Sequence, residues 1–169
     1  MNLEKYALEY KAGNQAVFGT IYKETYSLIR CCIYRYVQVK YVVEDLIQDT
    51  YMKITNSIKN YNSNNFSSWV YTIAKNIALD YVRKKQEDKI EDPTRLPDKE
   101  THPYLNYALS HLDESLREIF LMKVLCGHTT KKIAQALNLQ PHEVNRAYSR
   151  AKEILKASLK EDSYETKWF

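Results

Sequence analysis

An all-α fold built from two small helical domains on a flexible linker is what this sequence predicts. Three observations carry that expectation. Glycine and proline are scarce, 3 and 4 in 169 residues. Apolar residues recur at helical rather than alternating spacing almost throughout. One interruption, QEDKIEDPTRLPDKETHP at 86–103, holds three of the four prolines and many charges, the composition of a tether between domains. The expected boundaries are a first domain at 1–86, an acidic linker at 87–103, a second domain at 104–160 and a frayed tail at 161–169.

Residues 15–37 read as an amphipathic helix with Val17, Ile21, Leu28, Cys32, Ile33 and Tyr36 near one face. Lys40 and Tyr41 read as a short connection. A helix over 43–59 turns Val43, Leu46, Ile47, Thr50, Tyr51, Ile54 and Ile58 inward. The polar run YNSNN, 61–65, is a loop. Ser67 or Ser68 can cap the next helix, which runs to about Lys85 and buries Trp69, Val70, Ile73, Ala74, Ile77, Tyr81 and Val82. After the linker, Leu105, Ala108, Leu109 and Leu112 share one short helix, and Leu116, Ile119, Phe120 and Val124 the next.

The stretch from Cys126 to Leu159 is the most informative. Gly127 ends a helix and Thr129 can cap another, whose inner face is Ile133, Ala134 and Leu137. Asn138 sits at the turn, where a left-handed residue is needed. Pro141 suits a first helical position, Glu143 can reach back to Gln140, and Leu139 with Val144 has the spacing of a hydrophobic staple. Two short helices on a tight turn, the second basic, make a helix-turn-helix over 129–152. A plain helical hairpin with a solvated basic face is the alternative.

Net charge is +4, which permits a nucleic-acid partner without requiring one. No apolar run is long enough for a membrane span, and the N-terminal residues carry no signal-peptide core. Cys31, Cys32 and Cys126 lack metal-ligand spacing and read as reduced, partly buried thiols in a cytoplasm. His102, His111, His128 and His142 are scattered. No metal or cofactor is expected. No nucleophile elbow, phosphate loop or carboxylate pair points to an enzyme. Tyrosine is frequent, 15 residues, and packing is its default explanation.

Four constellations remain. Glu44, Asp45, Gln48 and Asp49 form an acidic face that either keeps a helix wet or docks a basic partner. Tyr61, Asn62, Asn64, Asn65, Phe66 and Trp69 combine amides able to read base edges with rings able to stack, or are a polar loop pinned by core aromatics. On the helix carrying Lys75, the residues Asn76, Asp80 and Arg83 line one side, either as DNA-backbone contacts or with Asp80 simply paired to Lys84. On the last helix His142, Asn145, Arg146, Ser149, Arg150, Lys152 and Lys156 would place front residues in a major groove and later ones on phosphates.

The order VEDLIQDTYMKI (43–54), FSSWVYTIAKNIALDYVRKK (66–85), linker, helix-turn-helix resembles the bacterial sigma-70 family of RNA polymerase sigma factors. The absence of other sigma regions points to its extracytoplasmic-function class. The resemblance implies that Asp45, Leu46, Gln48 and Asp49 grip core polymerase. It implies that Tyr61, Asn62, Asn64, Asn65, Phe66, Trp69, Lys75, Asn76, Asp80 and Arg83 serve the promoter minus-ten element. It implies that Thr129, His142, Asn145, Arg146, Ser149, Arg150 and Lys152 serve the minus-thirty-five element. Core polymerase, promoter DNA and an anti-sigma protein are the implied partners. The last helix departs from the family pattern: His142, Glu143, Val144, Asn145, Arg146 and Ala147 stand where Gly-Thr-Val and then a basic-Ser-Arg run are common, and Asn138 replaces the turn glycine. The bases read therefore do not carry over. The rival readings are a helix-turn-helix repressor or activator that never joins polymerase, and a helical adaptor that binds only protein.

Overall fold

The computed structural model describes residues 3–37, 39–62, 65–91, 109–124 and 126–165. Every regular element among them is helical. They are α1 (Leu3–Lys11), α2 (Phe18–Tyr34), α3 (Lys40–Ser57), α4 (Phe66–Glu91), α5 (Glu114–Val124), α6 (Thr130–Leu137) and α7 (Pro141–Glu165). Short 3₁₀ turns precede α2 and follow α3. The chain divides into two compact units, the first carrying α1–α4, the second α5 and α7 with most of α6.

In the first unit α2, α3 and α4 pack against one another, and α1 lies on α2, on α4 and on the turn after α3. The core is Ile21, Leu28, Ile29 and Ile33 from α2, Val43, Leu46, Ile47 and Ile54 from α3, and Phe66, Val70, Ala74 and Ala78 from α4. A polar cluster lies within it. The Thr25 hydroxyl is 2.7 Å from the Ile21 carbonyl and 3.0 Å from the Tyr51 hydroxyl, which donates to the Tyr22 carbonyl at 3.1 Å. Burial pushes the Tyr51 phenol well above its ordinary value, the Thr25 bond opposing the shift.

Four expectations are corrected here. Residues 3–11 form a helix that the sequence reading passed over. Lys40 and Tyr41 are already helical: α3 begins at Lys40, straight after the extended Val39. The cap of α4 is Asn65, not Ser67 or Ser68; its Oδ1 accepts from the Ser68 N–H at 3.1 Å, and its carbonyl from the Trp69 N–H. Finally, α4 does not stop near Lys85 but continues to Glu91. Gln86, Glu87 and Lys89 are good helix formers, and the first residue that steric clash disfavours is Asp92, before Pro93. The expected linker thus loses 87–91 to the helix, while 92–103 lie outside the described residues, as do Leu105 and Ala108.

The second unit is built on α5 against α7. Leu109, Leu112, Leu116, Leu121, Ala151 and Leu155 form its core, with Phe120, Ala147 and Ile154 packed on it. Val124, expected inside, is 50% exposed. Asp113 caps α5 through the Leu116 N–H at 2.9 Å. Arg117 reaches back to the carbonyls of Leu109 and Leu112, at 2.9 and 3.0 Å, and closes the preceding turn. Past the end of α5 at Val124, Gly127 takes a φ of +60°, which suits a residue without Cβ. There the His128 N–H bonds the Met122 carbonyl at 3.0 Å. α7 extends into the expected tail as far as Glu165.

Candidate nucleic-acid and partner interfaces

The turn between α6 and α7 forms as its residues dictate. Thr129 Oγ1 accepts from the Lys132 N–H at 3.2 Å and caps α6. Asn138 adopts φ 55°, and the Leu139 N–H closes onto the Ala134 carbonyl at 2.9 Å. Glu143 Oε2 accepts from the Gln140 N–H at 2.7 Å, the reciprocal half of a capping box, with Pro141 opening the helix. Val144 is buried; Leu139 remains 36% exposed, so the apolar half of the expected staple is only partly covered.

The basic side of α7 is open. His142, Asn145, Arg146, Ser149, Arg150, Lys152 and Lys156 are all exposed, as is Thr129 before α6. Two of them are also held from within. Lys152 lies over the Tyr148 ring, 4.8 Å from its centroid, and that ring stacks on Phe120. Asn145 Oδ1 lies 3.0 Å from Thr130 Oγ1, which lies 2.6 Å from Lys123 Nζ. Lysine only donates, so the Thr130 oxygen accepts from it and turns its own hydrogen to Asn145. This relay ties α5, α6 and α7 together. It also orients the Asn145 amide with its carbonyl inward.

On α3, Glu44, Asp45, Gln48 and Asp49 are exposed and share one side of the helix. Leu46 does not join them. It is 6% exposed in the core, about 100° round the helix from Asp45, so it supports the acidic face without presenting a contact.

The loop and the start of α4 separate into inner and outer residues. Tyr61 and Phe66 are each 1% exposed and cannot offer a ring face to a base. They pack edge-on, 5.3 Å between centroids, and Trp69 leans on both, at 5.1 and 5.5 Å. Trp69 is the half-buried member, and Asn62 is exposed. Asn65 is half-buried and serves the helix as its cap. Asn64 lies outside the described residues.

Further along α4, Asn76, Asp80 and Arg83 are exposed and Lys75 is half-buried. Asp80 pairs with Arg83 at 3.0 Å rather than with Lys84. With both side chains more than half exposed, that pair contributes little to stability and keeps the guanidinium near the surface.

Sequence reasoning missed the residue that fastens this region. Glu4, half-buried on α1, accepts from the Tyr61 hydroxyl at 2.6 Å through Oε1 and from the Phe66 N–H at 2.9 Å through Oε2. Lys11, at the other end of α1, donates to the Tyr61 carbonyl. The legible signal was Leu3, Tyr6, Ala7 and Tyr10 at helical spacing, with an acid in the first turn and a lysine in the last.

Two helical units, one with an exposed acidic face and a braced aromatic cluster, the other a helix-turn-helix with an open basic helix, have the form of a modular nucleic-acid-binding protein. The comparisons with known proteins narrow this. Residues 21–87 match the model of sigma-70 region 2, and residues 104–155 that of sigma-70 region 4. The chain belongs to the sigma-70 family of RNA polymerase sigma factors. Its curated relatives are of the extracytoplasmic-function class. SigE of Mycolicibacterium smegmatis is 28% identical over 148 residues, covering 79% of this chain and 58% of that one. SigM of Bacillus subtilis is 26% identical over 150 residues, covering 79% and 92%. Among solved structures, CnrH in complex with the cytosolic domain of CnrY matches with a TM-score of 0.64 at 21% identity, over 96% of this chain and 99% of that one. The sigma factor RpoE in complex with the anti-sigma factor NepR, from Bartonella quintana, matches at 0.56 and 19%, over 85% and 96%. These likenesses support the fold. Among the described residues no helix is long and apolar enough to cross a membrane.

Proposed function

We propose that this chain docks on core RNA polymerase through the acidic face of α3, reads a promoter with both units, and so directs transcription initiation in the cytoplasm. The observation that carries this reading is the coexistence, in one sigma-70 family chain, of that exposed acidic face with exposed polar and basic faces on α4 and α7. Asp45, Gln48 and Asp49, flanked by Glu44, make the docking surface. Trp69 and Asn62 receive a base from the minus-ten element, on a floor made by Tyr61 and Phe66. Lys75, Asn76, Asp80 and Arg83 face the adjoining DNA. Arg146, Asn145, His142 and Ser149 enter the major groove of the minus-thirty-five element, while Thr129, Arg150, Lys152 and Lys156 hold phosphates.

Energetics explains why such a chain works with a larger enzyme. Unstacking a duplex costs about 1.4 kcal/mol per step. A captured base returns about 1–3 kcal/mol by stacking. One aromatic platform therefore cannot open a bubble of many steps; it traps bases that open transiently while polymerase contacts supply the rest. Two weak readers on one chain gain by effective concentration once polymerase sets their spacing. The chain performs no chemical step. An anti-sigma partner, as NepR is for RpoE, would act by covering these faces.

In vitro transcription with purified core polymerase, with start sites sequenced, tests the reading. New, asymmetric promoters are expected only when the chain is added. Tight binding of a palindrome by the chain alone would point instead to a stand-alone regulator. In the same assay Arg146→Ala is expected to lose about 10–100-fold in use of promoters with an upstream element, the equivalent of one bidentate base contact. Core binding should not change. A fall in melting temperature in its place would make Arg146 structural.

A further inference from the structure

The helix α1 precedes the segment matched to sigma-70 region 2, which begins at residue 21. Nothing in the matched regions therefore assigns it a role. Its placement does. The Glu4 carboxylate reaches 57 and 62 residues along the chain to hold one side-chain donor and one backbone donor, on either side of the loop at 62–65. Tyr61 ends the path into that loop, and Phe66 is the first residue of α4 leading out of it. Lys11 secures the Tyr61 carbonyl from the other end of α1. Tyr61 and Phe66 are thus both held by one helix.

We infer that Glu4 is a positioning residue for promoter-strand capture: it fixes Tyr61 and Phe66, and with them the aromatic floor under Trp69. The inference rests on the function proposed above. The chemistry is specific. A carboxylate has two acceptor oxygens and no donor, matching an O–H and an N–H. It also lies at the N-terminus of α4, where a negative charge is favourable. With Glu4 removed, the Phe66 N–H and the Tyr61 hydroxyl lose this acceptor, and both residues gain freedom at the point where a flipped base must be met. Glutamine can replace most of the clamp, its Oε1 accepting from the Phe66 N–H and its Nε2 donating to the Tyr61 oxygen.

The test uses the full chain assembled with core polymerase and a fluorescent single-stranded oligonucleotide carrying the minus-ten sequence of a promoter mapped as above. Glu4→Ala is expected to weaken oligonucleotide capture by about tenfold, the loss of one charge-assisted hydrogen bond. Affinity for core and binding of upstream-element duplex should not change. Glu4→Gln is expected to restore most of the capture, and Tyr61→Phe to fall between. Wild-type capture by Glu4→Ala overturns the inference. So does an equal loss in Glu4→Gln, or a parallel loss of core affinity, since a merely structural role predicts these. If Glu4→Ala does not fold, the ranking of the other two variants decides: Tyr61→Phe at or above Glu4→Gln overturns it. A wild-type assembly that starts transcripts in vitro but captures no strand overturns this inference alone; one that does neither overturns the proposed function as well.

Discussion

Converting Asp45 and Asp49 to lysine together is expected to abolish pull-down of core RNA polymerase. Both carboxylates are exposed on α3, one helical turn apart, with Gln48 and Glu44 beside them. Truncating one member of a desolvated interfacial charge pair costs about 2–5 kcal/mol, and reversal adds repulsion. Two such changes should weaken binding by well over about a thousandfold. The fold should hardly respond, because substitutions at exposed helical positions usually stay within about 0.5 kcal/mol. Pull-down beside a circular-dichroism melt reads both effects. A folded variant that still retains polymerase would move the docking surface elsewhere.

Phe66→Ala is expected to have the largest effect on stability. Phe66 is 1% exposed, carries the first turn of α4 and packs against both Tyr61 and Trp69. Phenylalanine truncation in a core costs about 3–5 kcal/mol. That is a large part of the roughly 5–15 kcal/mol that holds a domain folded. The midpoint of the first unit should fall by more than about 10 °C. Hydrogen-exchange mass spectrometry should show lost protection in α1–α4 and unchanged protection in α5 and α7, because the units have separate cores. A loss of less than about 1 kcal/mol would mean that the aromatic floor is not packed as described. Equal loss of protection in both units would mean that they do not fold independently.

The parts of this molecule legible in the sequence are those set by neighbours along the chain. Gly127, Thr129, Asn138, Pro141 and Glu143 each act within about four residues, through a dihedral preference or a short hydrogen bond, so the helix-turn-helix follows from them. The same holds for the exposure of Glu44, Asp45, Gln48 and Asp49, which the helical repeat sets opposite Val43, Leu46 and Ile47. The reading failed where a partner lay farther off or where local candidates competed. Asn65, the last residue before α4, takes the cap that Ser67 or Ser68 was expected to supply, and Arg83 rather than Lys84 pairs with Asp80. Leu46 passed as a contact since a motif is a string of neighbours while a helix face is not. Residues 3–11 were passed over although their spacing was helical.

What the sequence by itself determined is the helical class, the two-module order, the turn of the helix-turn-helix and the family. The first three rest on periodicity, composition and caps, whose range is a few residues, and the family on the order of its motifs. Only the tertiary structure decided that Tyr61 and Phe66 lie inside, that Trp69 is the ring left with surface, and that Glu4 holds Tyr61 and Phe66 while Lys11 holds the Tyr61 carbonyl. A hydrogen bond between residues some 60 positions apart has no periodicity and leaves no local mark. It exists because helix packing brings the two ends together, and packing is a property of the folded core.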